Sequence, residues 1–551
     1  MTDATQERPP WGWAVLVILG VLWFSLLGYR DLNEPDEGRY AEIPREMFVT
    51  GDWLTPRLNG FKYFEKPPLH YWATAAIYHV MGTGPAASRL WGALMGFIGI
   101  LWTIRVGTRL FGSTAGWSAG LILTSMLLYT AMGHFNTLDM STSVWLTIGM
   151  GSLLLAQSQR AENPGNCRLY MLLGWAALAG ACLSKGMIGL VLPGATLILY
   201  TLWQRDWALW RHLHLGWGVL LFLLLTAPWF WGVSQANPEF PHFFFIREHL
   251  ERYTSTIHGR TGQGWYFIGV LLLGSLPWSH RVLLVLGKPG FSWRGGGGSF
   301  APLRLLWVYI LFILFFFSIS QSKLIPYILP LFPPLALLLG RHLAQEGERL
   351  NIGRETRLAT ILAVLLVAGG LHVDLFADTR HPVLMMLNAR PWLLGAGVVL
   401  AGAVAISLWQ RCQGKTALLA LTLSSLLAFQ CIAWGAHAFS PSNSSREAAR
   451  AVASVGGREL PVYCVGCYFQ SLPFYLERTI ILVRFEGELE FGIRQEPAAW
   501  IADHETFNQR WLQEKQAVAL FHRNDFPSWL RFGLPMRIVH EDERRVVVAR
   551  Q

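Results

Sequence analysis

The sequence predicts an α-helical polytopic membrane protein of about 13 transmembrane helices, followed by a small C-terminal α/β domain. Three observations lead there. Apolar residues make up 52% of the 551 and charged residues 15%, against roughly 25% charged in soluble domains, so the chain cannot cover a soluble surface with charge. The mean hydropathy is +0.34, and apolar runs long enough to cross a bilayer recur as far as residue 436. Beyond 436 they stop, and short β-rich segments take over. Disorder is excluded by the same apolar content. The net charge of +10 falls mostly between the apolar runs, where it orients a membrane protein and is no nucleic-acid footprint. Six scattered cysteines are too few for a disulfide scaffold.

The first run, 11–28, follows a polar start with one basic residue, Arg8, and no small-residue cleavage site follows it. It is therefore read as an uncleaved anchor. Further runs occupy 88–108, 115–133, 139–157, 169–184, 186–204, 215–234, 265–286, 302–320, 324–341, 357–376, 391–409 and 416–436. The shorter, aromatic-rich piece 69–83 is assigned to the membrane interface. Ser184-Lys185-Gly186 and Gln321-Ser322-Lys323 leave almost no loop and read as tight hairpins. With the N-terminus in the cytoplasm, the cytoplasmic connections collect Arg105, Arg109, Arg160, Arg168, Arg205, Arg211, Arg281, Arg341 and Arg411, as the positive-inside bias requires. The chain then divides into a membrane domain, 1–436, with periplasmic loops 29–87 and 235–264, and a periplasmic α/β domain, 437–551. In that tail Val462–Val465, 480–483, 517–521 and 545–548 read as strands, and 445–454 and 505–515 as helices. The glycine run at 295–298 reads as a flexible cytoplasmic connector.

Several polar residues exceed what a structural membrane protein needs. Loop 29–68 carries eight acids and six basic residues among aromatics and prolines, and long connections of that kind are usually functional. Residues 36–46 have helical spacing that puts Asp36, Arg39 and Tyr40 on one face. Most of these acids fit a solvated, salt-bridged helix, but Asp36 and Glu37, next to the first span, point to function, because acids at membrane depth need a compensating role. In Glu65-Lys66-Pro67-Pro68 the prolines fix an extended turn, which aims the charge pair at a ligand phosphate or a metal. Asp139 opens an apolar run, where an acid also serves as a helix cap, yet it shares a face with Asp36 and Glu65. Carboxylates so placed can activate a hydroxyl, hold a metal or stabilise an oxocarbenium-like charge. Lys185, Lys323 and Arg252 lie at outer membrane edges, against the orientation bias. One such residue would be read as snorkelling; three together point to a bound anion. Cys464 and Cys467 have redox or zinc spacing without a second pair, and read better as a structural disulfide or two free thiols. Gly92 and Gly96 form a helix-packing motif.

The segments Pro35-Asp36-Glu37-Gly38-Arg39-Tyr40-Ala41-Glu42, Gly51-Asp52-Trp53, Glu65-Lys66-Pro67-Pro68, Leu138-Asp139 and Leu183-Ser184-Lys185-Gly186 together resemble a known family. So does Gln321-Ser322-Lys323-Leu324 with Tyr327. The family is the 4-amino-4-deoxy-L-arabinose lipid A transferases of Gram-negative bacteria, in the protein O-mannosyltransferase superfamily. Gly38 departs from relatives that carry a polar residue there. The resemblance implies a type-C glycosyltransferase fold in the bacterial inner membrane, with its active site on the periplasmic side. It implies transfer of aminoarabinose from undecaprenyl phosphate to a lipid A phosphate, giving resistance to polymyxin and cationic antimicrobial peptides. The expected catalytic residues are Asp36, Glu37 and Asp139. Lys66, Arg39, Tyr40, Lys185, Arg252, Tyr327 and Lys323 are expected to bind substrate and phosphate. Glu65 is the expected metal ligand if a divalent ion takes part; no cofactor is firmly required. Partners would be the lipid-linked sugar, the lipid A acceptor and membrane lipids. Two alternatives stay open at this point: transfer of another polyprenyl-linked sugar to a protein or glycan hydroxyl, and a transporter with an accessory domain. A transporter should carry ionisable residues and broken helices near mid-membrane, in a repeated pattern.

Overall fold

The computed structural model describes residues 12–251, 262–288, 298–347, 351–411, 414–457 and 459–551. Each of the thirteen apolar runs folds as helix. Among the described residues eight helices are long and apolar enough to cross a membrane, or ten if each of two bent pairs is one crossing. The remaining three runs are Gly12–Phe24, of 13 residues, Ile188–Gln204, of 17 residues, and Gly353–Leu371, whose first turn holds Arg354 and Glu355. At about 1.5 Å per residue the first of these spans about 20 Å, short of a roughly 30 Å hydrocarbon core.

The bent pairs have a local cause. The run at 115–133 breaks at Met126 into Ser113–Ser125 and Leu127–Gly133, bent by 69°. The run expected at 265–286 as one span breaks into Tyr266–Gly274 and Ser279–Gly287, bent by 120°, around Pro277. Proline has no N–H to give to a helix, and backbone groups freed inside a bilayer must find partners in the protein. The two breaks supply each other: Leu127 N–H donates to Leu276 O at 3.2 Å, and Trp278 Nε1 donates to Ser125 Oγ at 2.8 Å.

Helix Leu138–Ser158 is buried along nearly its whole length and packs against Pro85–Phe111 and Pro164–Lys185. By contrast, Leu215–Ala236 exposes Trp217, Leu223, Leu224 and Trp231, the pattern of a lipid-facing helix. Gly96 allows a close approach, since a Cβ there would lie 2.7 Å from the Trp23 ring.

One face of the bundle carries the long loop, which orders into helix Asp36–Thr50, the hairpin Arg57–Leu58 with Phe61–Lys62, and helix Leu69–Met81. Gly51, in the left-handed region at φ 72°, ends the first helix by donating to Met47 O. The C-terminal sheet has six strands in the order Trp500–Ile501, Ile481–Val483, Val462–Val465, Val518–His522, Arg545–Arg550, Met536–Glu541. The first four are parallel and the last two antiparallel. The strands Trp500–Ile501 and Met536–Glu541 were not among those read from the sequence. Alternation along the strands makes two apolar faces. Tyr463, Val465, Ala519, Phe521 and Val548 pack on Phe507, Trp511 and Trp529. Cys464, Leu482, Leu520 and Val547 face the other way and share a core with Tyr40, Ile43, Met47, Phe61 and Tyr71. The tail thus packs directly on the loop helix. Cys464 and Cys467 are buried free thiols in that layer. The connector at 295–298 lies outside the described residues except for Gly298.

The docking is tight at Gly38, where a Cβ would lie 2.6 Å from Ser471 N and 2.8 Å from Gln470 C. The departure at this position is therefore a steric requirement. We expect Gly38→Ala to cost about 1–3 kcal/mol through overpacking against rigid backbone, read as a lowered melting temperature of the purified protein. An unchanged melting temperature would mean that the two segments part without cost.

Candidate functional site

Helix Asp36–Thr50 is fixed through Glu37. Its carboxylate, 2% exposed, accepts from Arg30 Nη1 at 2.6 Å, Arg89 Nε at 2.7 Å, Asn33 N–H at 3.0 Å and Asn136 N–H at 3.0 Å. Burial alone would raise this carboxyl, but the two guanidiniums and their hydrogen bonds hold it well below the usual carboxylate range. Glu37 was expected beside Asp36 as a catalytic acid. The structure instead turns it inward, where it joins the loop, helix Pro85–Phe111 and the turn before Leu138. Neither Arg30 nor Arg89 was singled out from sequence.

Asp36 points the other way, half exposed, and pairs with Arg39 Nη1 at 3.0 Å. Arg39 also pairs with Glu488 of the C-terminal domain. Burial raises the Glu488 carboxyl despite the nearby arginine. Tyr40, buried, lies within electrostatic reach of Arg39, Asp36, Glu65 and Asp139, and burial pushes its hydroxyl well up. It stacks on Tyr71 at 6.4 Å and meets the His70 ring edge-on at 6.0 Å. Nearby, His70 Nε2 lies 3.1 Å from Asn136 Oδ1, and burial pushes its imidazole down to about 4, so the ring is neutral at physiological pH. Among the described residues, Arg39 Nε, Tyr63 OH, His70 Nδ1, Tyr71 OH and Tyr468 OH are buried and find no hydrogen-bond partner in the protein. Buried polar atoms are normally satisfied, so so many together around Asp36 and Glu488 mark a surface suited to a polyhydroxylated ligand.

Beside this chamber lies a cavity of about 330 Å³ whose lining includes Glu65, Lys66, Lys185, Glu248, Ser322 and Tyr327. The rest of its wall is mostly apolar, with Met187, Ile188, Val191, Phe245, Phe316 and Phe317. Lys66 Nζ donates to Glu65 O at 2.7 Å and lies 3.5 Å from Glu248 Oε2 and 3.8 Å from Glu65 Oε2. Lys185, ending helix Pro164–Lys185, pairs with Asp139 in the first turn of Leu138–Ser158 and sits 4.9 Å above the Tyr327 ring. Asp139 accepts an ammonium here and does not cap its helix: Thr137 is the N-cap, without a side-chain hydrogen bond.

Most of the residues singled out from sequence thus lie near one another: Glu65, Lys66, Lys185 and Tyr327 line the cavity, Asp139 joins it through Lys185, and Asp36 and Arg39 meet Glu65 and Asp139 around Tyr40. Lys323 is placed differently. It is buried, with Nζ on Ser318 O at 2.9 Å, Ser320 O at 3.0 Å and Phe317 O at 3.5 Å, and so it closes the end of helix Pro302–Ile319 behind the cavity wall. Arg252 lies outside the described residues. For a metal, no three His, Cys, Asp or Glu side chains converge among the described residues. Glu65 and Glu248 share the Lys66 ammonium. Glu248, Glu488, Tyr63, Tyr71 and His70 were missed, since none belongs to a short motif and only the fold brings them together.

The split between Glu37 and Asp36 is measurable. Glu37→Ala leaves two guanidiniums buried without their carboxylate and is expected to cost about 3–5 kcal/mol, whereas Asp36→Asn should leave the melting temperature within a degree or two of wild type. Equal stability of both variants would remove Glu37 from its place as the structural tie.

Residues 12–244 match the Dolichyl-phosphate-mannose-protein mannosyltransferase family, and residues 448–550 match the Aminoarabinose transferase C-terminal domain. The chain is similar to undecaprenyl phosphate-α-4-amino-4-deoxy-L-arabinose arabinosyl transferases. It is 32% identical to that of Shewanella sediminis over 72% of this chain and 70% of the relative. To that of Edwardsiella ictaluri it is 34% identical, again over 72% and 70%. Among solved structures, ArnT from Cupriavidus metallidurans bound to undecaprenyl phosphate superposes with a TM-score of 0.90 at 35% identity, over 98% of both chains.

Proposed function

Because the chain belongs to the undecaprenyl phosphate-α-4-amino-4-deoxy-L-arabinose arabinosyl transferases, a polytopic inner-membrane family of glycosyltransferases with a lipid-linked donor, we propose that it moves this sugar to a phosphate of lipid A on the periplasmic side. The observation that carries the proposal is the mixed lining of the cavity. Two lysine ammoniums and Tyr327 share it with a mostly apolar wall, the combination that a phosphate on a polyprenyl tail requires. A charged phosphate at headgroup depth is costly unless paired, and lysine is a common partner.

An acceptor phosphate is already an anion at neutral pH. Its oxygen attacks C1 of the sugar, the bond from C1 to the donor phosphate oxygen breaks, and undecaprenyl phosphate departs with the electron pair. No proton has to move. Lys66 and Lys185 stabilise the charge that develops on the departing phosphate. Asp36 and Asp139 face the oxocarbenium-like sugar, and Tyr40, Tyr63, Tyr71 and Glu488 orient it, so that much of the acceleration comes from positioning. A hydroxyl acceptor would require a general base, and Asp139, held by Lys185, is poorly placed to be one. The transporter alternative falls with the family assignment, which is that of an enzyme.

A charge-assisted contact contributes about 1.5–3 kcal/mol, so Lys66→Ala and Lys185→Ala should each bind undecaprenyl phosphate roughly ten- to a hundred-fold more weakly. Asp36→Asn and Asp139→Asn should fold normally yet give no aminoarabinose on lipid A by mass spectrometry of cells expressing them in place of the wild type. Wild-type carrier binding by both lysine variants would mean that these charges only anchor helices at the interface.

The side of the membrane has its own test. Alkaline phosphatase fused after Gln551 should be active, as a periplasmic tail requires. A silent phosphatase together with a fluorescent cytoplasmic reporter at the same point would place the tail, and with it the site, on the other side.

A further inference from the structure

Away from the transfer site, a polar cavity of about 740 Å³ opens between the loop at 377–382 and the C-terminal domain, and its lining includes Arg380, His522, Arg523, Asp525, Glu543 and Arg544. Three guanidiniums here face a common space. Arg544 spends one nitrogen on Glu34 Oε2 and Ser442 O, both at 3.2 Å, Arg380 donates to Asn443 Oδ1 at 3.2 Å, and Arg523 pairs through Nε with Glu541 at 3.2 Å and donates from Nη1 to Asp542 O at 3.3 Å. Each guanidinium has five N–H donors, so most of that capacity remains for solvent or a ligand. Burial, with smaller repulsion from Arg545 and Arg380, holds Arg544 below its ordinary value despite the pull of Glu34. Asp525 and Glu543 add acceptors. The helices that lead into and out of the loop expose Leu371, Leu375, Phe376, Val383 and Leu384, so an apolar rim borders the polar space.

We propose that this cavity is a second subsite for the acceptor, holding the anionic saccharide headgroup of a glycolipid at a distance from the phosphate that receives the sugar. The proposal rests on the acceptor being lipid A, as inferred above. Mixed chemistry in the wall decides between lipids. A phospholipid headgroup brings a single phosphodiester anion to a space that three guanidiniums share. A phosphorylated saccharide brings anionic groups for the arginines and hydroxyl donors for the carboxylates, and its acyl chains can leave along the apolar rim. The site is also joined to the catalytic helix. Arg544 and Arg545 both hold Glu34, which lies two residues before Asp36 and also accepts from Ser445 and Ser471.

The test uses the full-length protein with Arg380→Gln and Arg523→Gln combined, both residues being exposed at the surface and outside the transfer site. Binding of the deacylated, phosphorylated disaccharide of lipid A should weaken about tenfold, while binding of undecaprenyl phosphate stays at the wild-type level. In transfer assays KM for lipid A should rise by a similar factor with kcat unchanged. Unchanged disaccharide binding would overturn the subsite, as would a parallel fall in carrier binding, which would report a general structural change. Phosphatidylglycerol vesicles that compete with the disaccharide as well as lipid A does would identify a phospholipid site and also overturn it. If the wild type transfers no sugar to lipid A but the variant still loses the disaccharide, the subsite stands and the acceptor assignment above falls.

Discussion

The site depends on one buried interaction, the Glu37 carboxylate between Arg30 and Arg89. A charge taken out of water is expensive, and a buried ion pair is tolerated only when geometry and hydrogen bonds are nearly complete. Here they are. Glu37 takes four partners, and Arg89 spends its remaining donors on the carbonyls of Leu27, Arg30 and Asp31. Those carbonyls belong to the chain as it leaves the first helix, so the arginine ends that helix and aims the next. With Glu37 locked, the helix cannot rotate, and the neighbouring Asp36 must face the chamber. A carboxylate on a surface loop is thereby held as firmly as one on a core element.

The C-terminal domain completes this arrangement. Glu34, buried, is shared by Arg544 and Arg545 of the domain and by two serine hydroxyls, and its charge is kept by them against the cost of burial. Four residues on, Gly38 lets the backbone at Ser471 come against the helix, and one residue further Arg39 reaches Glu488. Three successive contacts in six residues fix the sheet domain against the helix that carries Asp36. An extramembrane domain that only decorated the bundle would not share its hydrophobic core with helix Asp36–Thr50, as this one does through Tyr40, Ile43 and Met47.

How much of this was legible in the sequence follows from range. Apolar runs and β-rich segments are local, and both the helices and four of the six strands could be read directly. Asp36, Lys66, Asp139 and Lys185 stood out because charge at a membrane edge is anomalous wherever it occurs. The same logic misplaced Lys323, because a lysine that closes a helix end and one that binds a phosphate look alike until the carbonyls around Nζ are seen. It also misjudged Glu37, since adjacent residues on a helix are about 100° apart and point to different surroundings. Glu488 was out of reach: it lies about 450 residues from Arg39 in the chain, and nothing local marks it. The break at Met126 was hidden because it sits within a run whose hydropathy continues across it, whereas Pro277, among Ser275, Ser279 and His280, marked its break locally.

The charge pattern around the cavity also bears on turnover. Both lysines already hold carboxylates, Lys66 with Glu65 and Glu248, and Lys185 with Asp139. An arriving donor phosphate has to share or displace those partners, so part of its attraction is offset from the start. That offset helps an enzyme whose product, undecaprenyl phosphate, presents the same phosphate and the same tail as its substrate. Binding both equally tightly would lower KM without raising kcat and would slow release of the spent carrier. When the sugar departs, the phosphate gains negative charge and the lysines are drawn to it most strongly at the point of bond breaking. In the proposed mechanism Lys185 turns toward the leaving phosphate while Asp139, its partner before the reaction, faces the reacting carbon, so that one ion pair offers a cation to the leaving group and an anion to the sugar.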